Sequence, residues 1–295
     1  MLFFRIFLAL TLCFTSLSNT VNGVVPGDTF TPDTFPIIKA APKPLRCVRI
    51  ASFNIRCADV NGVQIKDRAD LVLKQICDIA PDSVGMQEVT GDWLKQIRRI
   101  PGYETVGEGR DGRGSEGCQI LYNKLRYTCL ETKTFWLSET PDEMSFGWDA
   151  ACRRICTYAV LKNRLTGDVY AHVNTHFDHR GKVAVVKEAQ MVSALIEEKF
   201  GEIPVVFTAD LNATPESEPY RIMTERLADA RLIAARAESF GTFHGLSPQT
   251  HADYYIDFVL CRADTEVLNY RTVTAGESGR FVSDHFPIYA DLRFA

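Results

Sequence analysis

Ile203-Pro204-Val205-Val206-Phe207-Thr208-Ala209-Asp210-Leu211-Asn212-Ala213-Thr214-Pro215 is the stretch from which the rest of the chain is read. The apolar run 203–207, bounded by Pro and turn formers, predicts a strand in the core of a sheet. The polar residues after it predict a loop at the strand's C-terminal end, where rigid scaffolds commonly carry chemistry. Asp210 and Asn212 are two residues apart on an extended segment, so a carboxylate and a carboxamide point the same way. An Asx-type turn would explain this stretch taken alone. The other strand ends favour chemistry.

Four more strand-like runs end in matching residues: Phe53-Asn54-Ile55-Arg56, Met86-Gln87-Glu88-Val89, Asn174-Thr175-His176-Phe177-Asp178 and Ser283-Asp284-His285-Phe286-Pro287. A further carboxylate lies inside an apolar run, Tyr255-Ile256-Asp257-Phe258-Val259. An acid there is costly unless it is paired, which makes Asp257 a network residue. Glu88 is a hard oxygen donor suited to magnesium or manganese. Asn54 can donate to a phosphate oxygen and orient a carboxylate at once.

The order and wording of these segments resemble the endonuclease/exonuclease/phosphatase superfamily. Phe135-Trp136-Leu137-Ser138 followed by Gly147-Trp148-Asp149 and Arg153-Arg154 resembles one branch of it, and Ser283-Asp284-His285-Phe286-Pro287 is the most specific signature. The resemblance spans about residues 46 to 295. It implies an α/β (α+β) fold, a four-layer α/β/β/α sandwich with two central, mostly antiparallel sheets. It also implies a divalent-metal-dependent phosphoester hydrolase. Glu88 would hold Mg2+ (or Mn2+) with Asn54 and Asp284. Asp210 would position or deprotonate the water. Asn212 and Arg154 would bind the phosphate, Arg154 through its guanidinium fork. His176 and His285 would supply proton transfers or hydrogen bonds, one of them oriented by Asp257.

Between these segments, helical spacing predicts helices over 66–80, 90–100, 183–200 and 216–227, the last with Ser217 or Thr214 as N-cap. Residues 155–162 and 168–174 predict a hairpin. The Gly- and charge-rich segment 107–117 lacks the spacing of a nucleotide-binding loop and reads as a mobile surface loop. His244 could line the pocket, whereas His179 has no supporting context.

The chain has 295 residues, 46% of them hydrophobic and 24% charged, with net charge −4 and pI about 5.9. That is globular composition without the basic footprint of a duplex-binding protein. Residues 1–22 read as a secretory signal, 23–45 as an extended linker and 46–295 as the catalytic domain. The protein is therefore expected to be secreted or periplasmic, without a stable membrane anchor. Leu10-Thr11-Leu12-Cys13 has the wording of a lipoprotein signal, but the apolar stretch before Cys13 is short. Nine cysteines leave eight after the signal, which invites a disulfide reading, although Cys47, Cys77, Cys118 and Cys261 sit in or beside apolar runs as buried thiols do. The expected partner of a monomeric protein is a phosphoester: nucleic acid, a phosphorylated small molecule or a lipid headgroup. The alternatives are a sphingomyelinase-like lipid phosphodiesterase and a non-catalytic binding module that keeps the fold.

Overall fold

Along Val48–Asn54 (β1) side chains alternate between two faces, as an extended strand requires. Ala51 and Phe53 pack with the apolar stripe of helix Ile65–Ile79 (α1), formed by Ala69, Val72, Leu73, Ile76 and Ile79. Ile50 points the other way, into a cluster shared with a second sheet. The computed structural model describes residues 42–60, 62–246, 254–274 and 281–295. The expected signal segment and most of the expected linker lie outside the described residues.

The chain continues through Ser83–Gln87 (β2), Gly91–Ile97 (α2), Tyr103–Val106 (β3), Ile120–Asn123 (β4), Tyr127–Trp136 (β5), Ile155–Asn163 (β6) and Val169–His176 (β7). Then come Lys182–Phe200 (α3), Val205–Asp210 (β8), Glu218–Thr224 (α4), Ala228–Asp229 (β9), Ala230–Ile233 (α5) and Ala237–Glu238 (β10). Asp257–Cys261 (β11), Glu266–Thr272 (β12) and Ile288–Arg293 (β13) complete it. One sheet runs β10-β12-β13-β1-β2-β4-β3 and the other β5-β6-β7-β8-β11-β9. The pairs β1/β2, β7/β8 and β10/β12 are parallel and the other pairs antiparallel. Helix α1 covers the outer face of the first sheet and α3 that of the second, giving the four layers expected.

The inner faces grade from apolar to polar along the strands. On β7 the inner face reads Tyr170, His172, Asn174, His176; on β8 it reads Val206, Thr208, Asp210; on β1 it reads Ile50, Ser52, Asn54. Val206 and Ile50 belong to the dry core between the sheets. The next layer is a buried hydrogen-bonded ladder. Ser83 Oγ meets His172 Nδ1 at 2.8 Å, His172 Nε2 meets Thr208 Oγ1 at 2.8 Å, and Thr208 donates to Asn174 Oδ1 at 3.0 Å. Gln87 Nε2 donates to the same Asn174 oxygen at 2.8 Å. Burial drives the His172 pKa down to about 3, so the ladder is neutral. The sheets approach closely here because Gly85 has no side chain: a Cβ would lie 1.9 Å from Thr208 Oγ1 and 2.4 Å from Asn174 Oδ1. The last layer, at the strand ends, is the site.

Several expectations are corrected. Helix α4 is shorter than the span 216–227, because Ser217 takes the N-cap, accepting from Tyr220 N, and the chain enters β9 at Ala228. Segment 107–117 is tied down rather than loose: Gly117 bridges both Val89 and Gly109, and Trp136 Nε1 donates to the Arg110 carbonyl at 2.9 Å. The eight described cysteines are all unpaired. Among the described residues no helix is long and apolar enough to cross a membrane.

Candidate active site

Strand register brings the site together. Asp210 on β8 lies beside His176 on β7 and Asp257 on β11. Asn54, from the facing sheet, donates through Nδ2 to Asp210 Oδ2 at 2.9 Å and to Glu88 Oε1 at 3.1 Å. Its Oδ1 accepts from Arg56 N at 3.0 Å. Asn54 thus clamps two carboxylates from opposite sheets. Glu88 also accepts from Cys57 N at 2.7 Å. Three non-glycine residues here have left-handed backbones, Arg56 (φ 56°), Glu88 (φ 63°) and Asn212 (φ 48°). Each such conformation costs on the order of 1 kcal/mol and persists only where its surroundings hold it.

His285 Nδ1 is 2.8 Å from Asp257 Oδ2, and its Nε2 is 3.7 Å from Asp210 Oδ2. Burial alone would keep this ring neutral, but the Asp257 and Asp210 carboxylates overcome it and raise His285 to about 10. Asp257 takes the orienting place expected of it, and its backbone N–H is held by Thr242 Oγ1 at 3.1 Å. His176 behaves oppositely. Burial, then the nearby Arg154, His285 and Arg110, push it well below the usual range. Its Nε2 is 2.9 Å from Asn212 Nδ2, a donor, so the neutral ring carries its proton on Nδ1. Asn212 also donates to the Phe177 carbonyl at 2.9 Å.

Arg154 sits at one side of this cluster, buried, with Nε 3.4 Å from Asp178 Oδ1 and Nη2 3.0 Å from His179 Nδ1. Asp178 gathers the backbone N–H groups of Ala151, Cys152, Arg180 and Gly181. Burial works against its charge, but those N–H groups and Arg154 outweigh it and lower Asp178 to about 2. His179, without context in the sequence, is thus a neighbour of Arg154. Asp284 is held differently from Glu88: its carboxylate pairs with the Arg56 guanidinium, so it does not meet the Asn54–Glu88 pair directly. His244 is buried against Phe281 and Phe286, stacking on Phe281 at 4.2 Å, and packs rather than lining the site.

Two site residues escape sequence reading. Glu116 Oε1 lies 3.9 Å from His176 Nδ1 and accepts from Arg110 Nη1 at 2.8 Å. Burial raises Glu116, Arg110 opposes this, and Glu88 adds to it. The one available signal was a Glu just before the apolar run Cys118–Tyr122.

The site therefore concentrates four carboxylates: the buried Asp210 and Asp257 and the half-buried Glu88 and Glu116. Burial raises Asp210, and repulsion from Asp257 raises it further. Glu88 remains below its usual range, because Cys57 and Asn54 outweigh burial, yet among the described residues no cationic side chain hydrogen-bonds it. A half-buried carboxylate beside the carboxylate of Asp210, with Asn54 bridging the two, suits a hard divalent ion. Asp210, Asp257 and His285 also have donor atoms within 4.8 Å of one another. His285 Nδ1 is already engaged with Asp257, which makes that trio a proton-handling group first.

A family model described as the endonuclease/exonuclease/phosphatase family matches residues 51–285. An endonuclease/exonuclease/phosphatase from Bacteroides vulgatus superimposes with a TM-score of 0.80 at 36% identity, covering 84% of this chain and 99% of that one. A mannosyl-6-phosphatase from Bacteroides thetaiotaomicron superimposes at 0.79 with 30% identity, covering 84% and 100%. Carbon catabolite repressor protein 4 homolog 3 of Arabidopsis thaliana is 24% identical over 162 residues, 53% of this chain but 35% of that protein. The matched span runs from the second half of β1 to His285 and takes in each of the strand ends described above, and the chain belongs to the endonuclease/exonuclease/phosphatase family of phosphoester hydrolases.

Proposed function

We propose that the protein is a divalent-metal-dependent phosphatase acting on a phosphorylated small molecule. The observation that carries this reading is Asn54 bridging Glu88 and Asp210, beside the His285–Asp257 pair. Glu88 and Asn54 would hold Mg2+ or Mn2+, with Asp284 reaching the site only by leaving Arg56. Bound there, the ion would supply Lewis-acid neutralisation of charge on the phosphoryl oxygens.

The chain's own groups divide the remaining work. Asp210, held by Asn54 and by its own Oδ1 contact with Asn212 N at 2.9 Å, orients a water and receives its proton. His285, kept protonated by two carboxylates, donates from Nε2 to a phosphoryl oxygen. Arg154 and Asn212 clamp the phosphate as donors. His176, neutral with its Nδ1 proton facing Glu116, accepts from Asn212 at Nε2 and so orients that donor, while the protonated His285 is the group that supplies a proton to the leaving oxygen.

The likeness to a mannosyl-6-phosphatase across that protein's whole length supports a small-molecule substrate. Net charge −4 supports it against duplex nucleic acid, whose binding draws on clustered Lys and Arg. The segment 1–22 supports export of the enzyme. A panel of supercoiled DNA, single-stranded RNA, sphingomyelin vesicles and sugar phosphates, run with magnesium and with EDTA, tests the proposal. EDTA-sensitive phosphate release from the sugar phosphates is expected. Faster cleavage of DNA or RNA would replace the phosphatase with a nuclease, and faster cleavage of sphingomyelin with a lipid phosphodiesterase.

A further inference from the structure

Three tips stand at the end of the sandwich away from the site: the lead into β1, the turn between β4 and β5, and the turn of the β6–β7 hairpin. Each carries one leucine. Leu45 is 88% exposed, Leu125 72% and Leu165 94%, the three most exposed large apolar side chains among the described residues. Single exposed leucines are ordinary on a surface, but three gathered at one end are not. Each has basic neighbours in sequence: Lys43 and Arg46, Lys124 and Arg126, Lys162 and Arg164. The tips themselves hold one acid, Asp168, and the buried Asp82 beneath them is shared by Lys43 and Arg126. This end is therefore basic on a chain of net charge −4. Two of the tips are tied together, with Arg164 N donating to the Arg126 carbonyl at 2.8 Å and Arg164 Nε to the Lys124 carbonyl at 3.0 Å. A cleft of about 480 Å³, open to solvent, runs along the hairpin tip and is lined by Thr128, Lys162, Arg164, Leu165 and Thr166.

We infer that this end docks reversibly on an anionic lipid bilayer, the three leucines entering the interface and the basic side chains meeting lipid phosphates. Charge complementarity argues for this occupant: exposed leucines flanked by Lys and Arg are the composition of a surface that lies in a bilayer interface. A nucleic acid would meet the cations but leave the leucines in water. The cleft beside Leu165 has room for a phosphodiester headgroup, with Lys162 and Arg164 lining it as donors. Strand β1 spans 7 residues between this end and Asn54, which places the site about 20 Å from the docked surface. The bound lipid is therefore not the substrate, and the site faces the aqueous side, open to soluble phosphoesters.

Flotation of the full chain with lipid vesicles tests this, using phosphatidylcholine alone and phosphatidylcholine mixed with phosphatidylglycerol, in rising salt. Binding should be stronger on the mixed vesicles and weaken as salt screens the contact. Lys124→Gln and Lys162→Gln should each weaken it about fivefold, and together about twenty-five-fold. Leu165→Ser should weaken it about tenfold. Every protein compared carries the same residues 1–41, so a difference among them belongs to the tips. Circular dichroism and melting temperature verify that the variants fold. Equal binding to both kinds of vesicle, no binding to either, or variants that bind as wild type does would overturn the inference. Duplex DNA binding that the two lysine changes abolish while vesicle binding persists would also overturn it and make this end a nucleic-acid surface. A dimer in analytical ultracentrifugation that Leu165→Ser dissolves, without vesicle binding, would overturn it in favour of an interface between copies of the chain.

Discussion

Gly85→Ala strikes where the two sheets come closest. The added Cβ would stand 1.9 Å from Thr208 Oγ1 and 2.4 Å from Asn174 Oδ1, both on the facing sheet. Ordinary contact begins near 3.4 Å, so the Thr208 hydroxyl would have to retreat by about 1.5 Å. Both strands are buried, and neither can tilt away without disturbing the dry core beside them. Retreat breaks the Thr208–Asn174 bond of 3.0 Å and the His172–Thr208 contact of 2.8 Å. Two buried polar groups left unmatched cost about 1–3 kcal/mol each, and overpacking adds about 1–3 kcal/mol. The expected loss is roughly 3–9 kcal/mol, a large part of a stability of about 5–15 kcal/mol. Urea unfolding with a conserved m-value measures it. Thr208→Ala in the Gly85→Ala background should recover about 1 kcal/mol or more, since the sites share the clash. A loss below about 1 kcal/mol, or strict additivity of the two changes, would refute the account of why the sheets meet through a glycine.

Asp257→Asn keeps the shape but removes the charge facing His285 Nδ1 at 2.8 Å; turnover should fall by about 10²–10⁴, with the His285 titration moving down from about 10 toward its ordinary range, as proton NMR would show. Glu188 is buried beneath Asp178 and raised by that burial to about 8. The folded state therefore holds a proton that the unfolded chain releases near 4.5, so this residue's contribution to stability falls as pH rises from about 4.5 to about 8. Glu188→Gln should leave the melting temperature unchanged near pH 4.5 and raise it at pH 8. Asp178→Ala should raise KM and lower the melting temperature together, because the carboxylate holds Arg154 and four backbone N–H groups at once; steady-state kinetics beside thermal melts would separate the two effects.

Much of the site was legible because it follows a simple rule. Period-two alternation sends Asn54, His176, Asp210 and Asp257 to the inner faces, and each stands at the site end of an apolar run. Asn212 and His285 adjoin such ends. The misses have physical causes. Arg110 and Glu116 sit among glycines and charges, a composition typical of solvated loops, and are drawn in only by the bridges of Gly117 to Val89 and Gly109. Strand β12 was not expected, because a bulge between Val267 and Asn269 breaks its alternation. Asp284 carries the motif's wording, yet its partner Arg56 lies 228 positions away and local sequence does not announce it. His172 and Gly85 read as unremarkable strand residues, and only the facing sheet shows why each is there.

The central claim is that Glu88, half-buried and without a cationic hydrogen-bond partner among the described residues, holds a divalent ion on which phosphate release depends. The direct measurement is phosphate release from hexose 6-phosphate over a magnesium titration starting from EDTA, for wild type and Glu88→Gln. The account predicts no release in EDTA and full recovery with magnesium for the wild type. For Glu88→Gln it predicts at least a hundredfold loss, on the order of 3 kcal/mol in transition-state stabilisation, with half-saturation at higher magnesium. Release that persists in EDTA, or a Glu88→Gln titration that overlays the wild type, would contradict it.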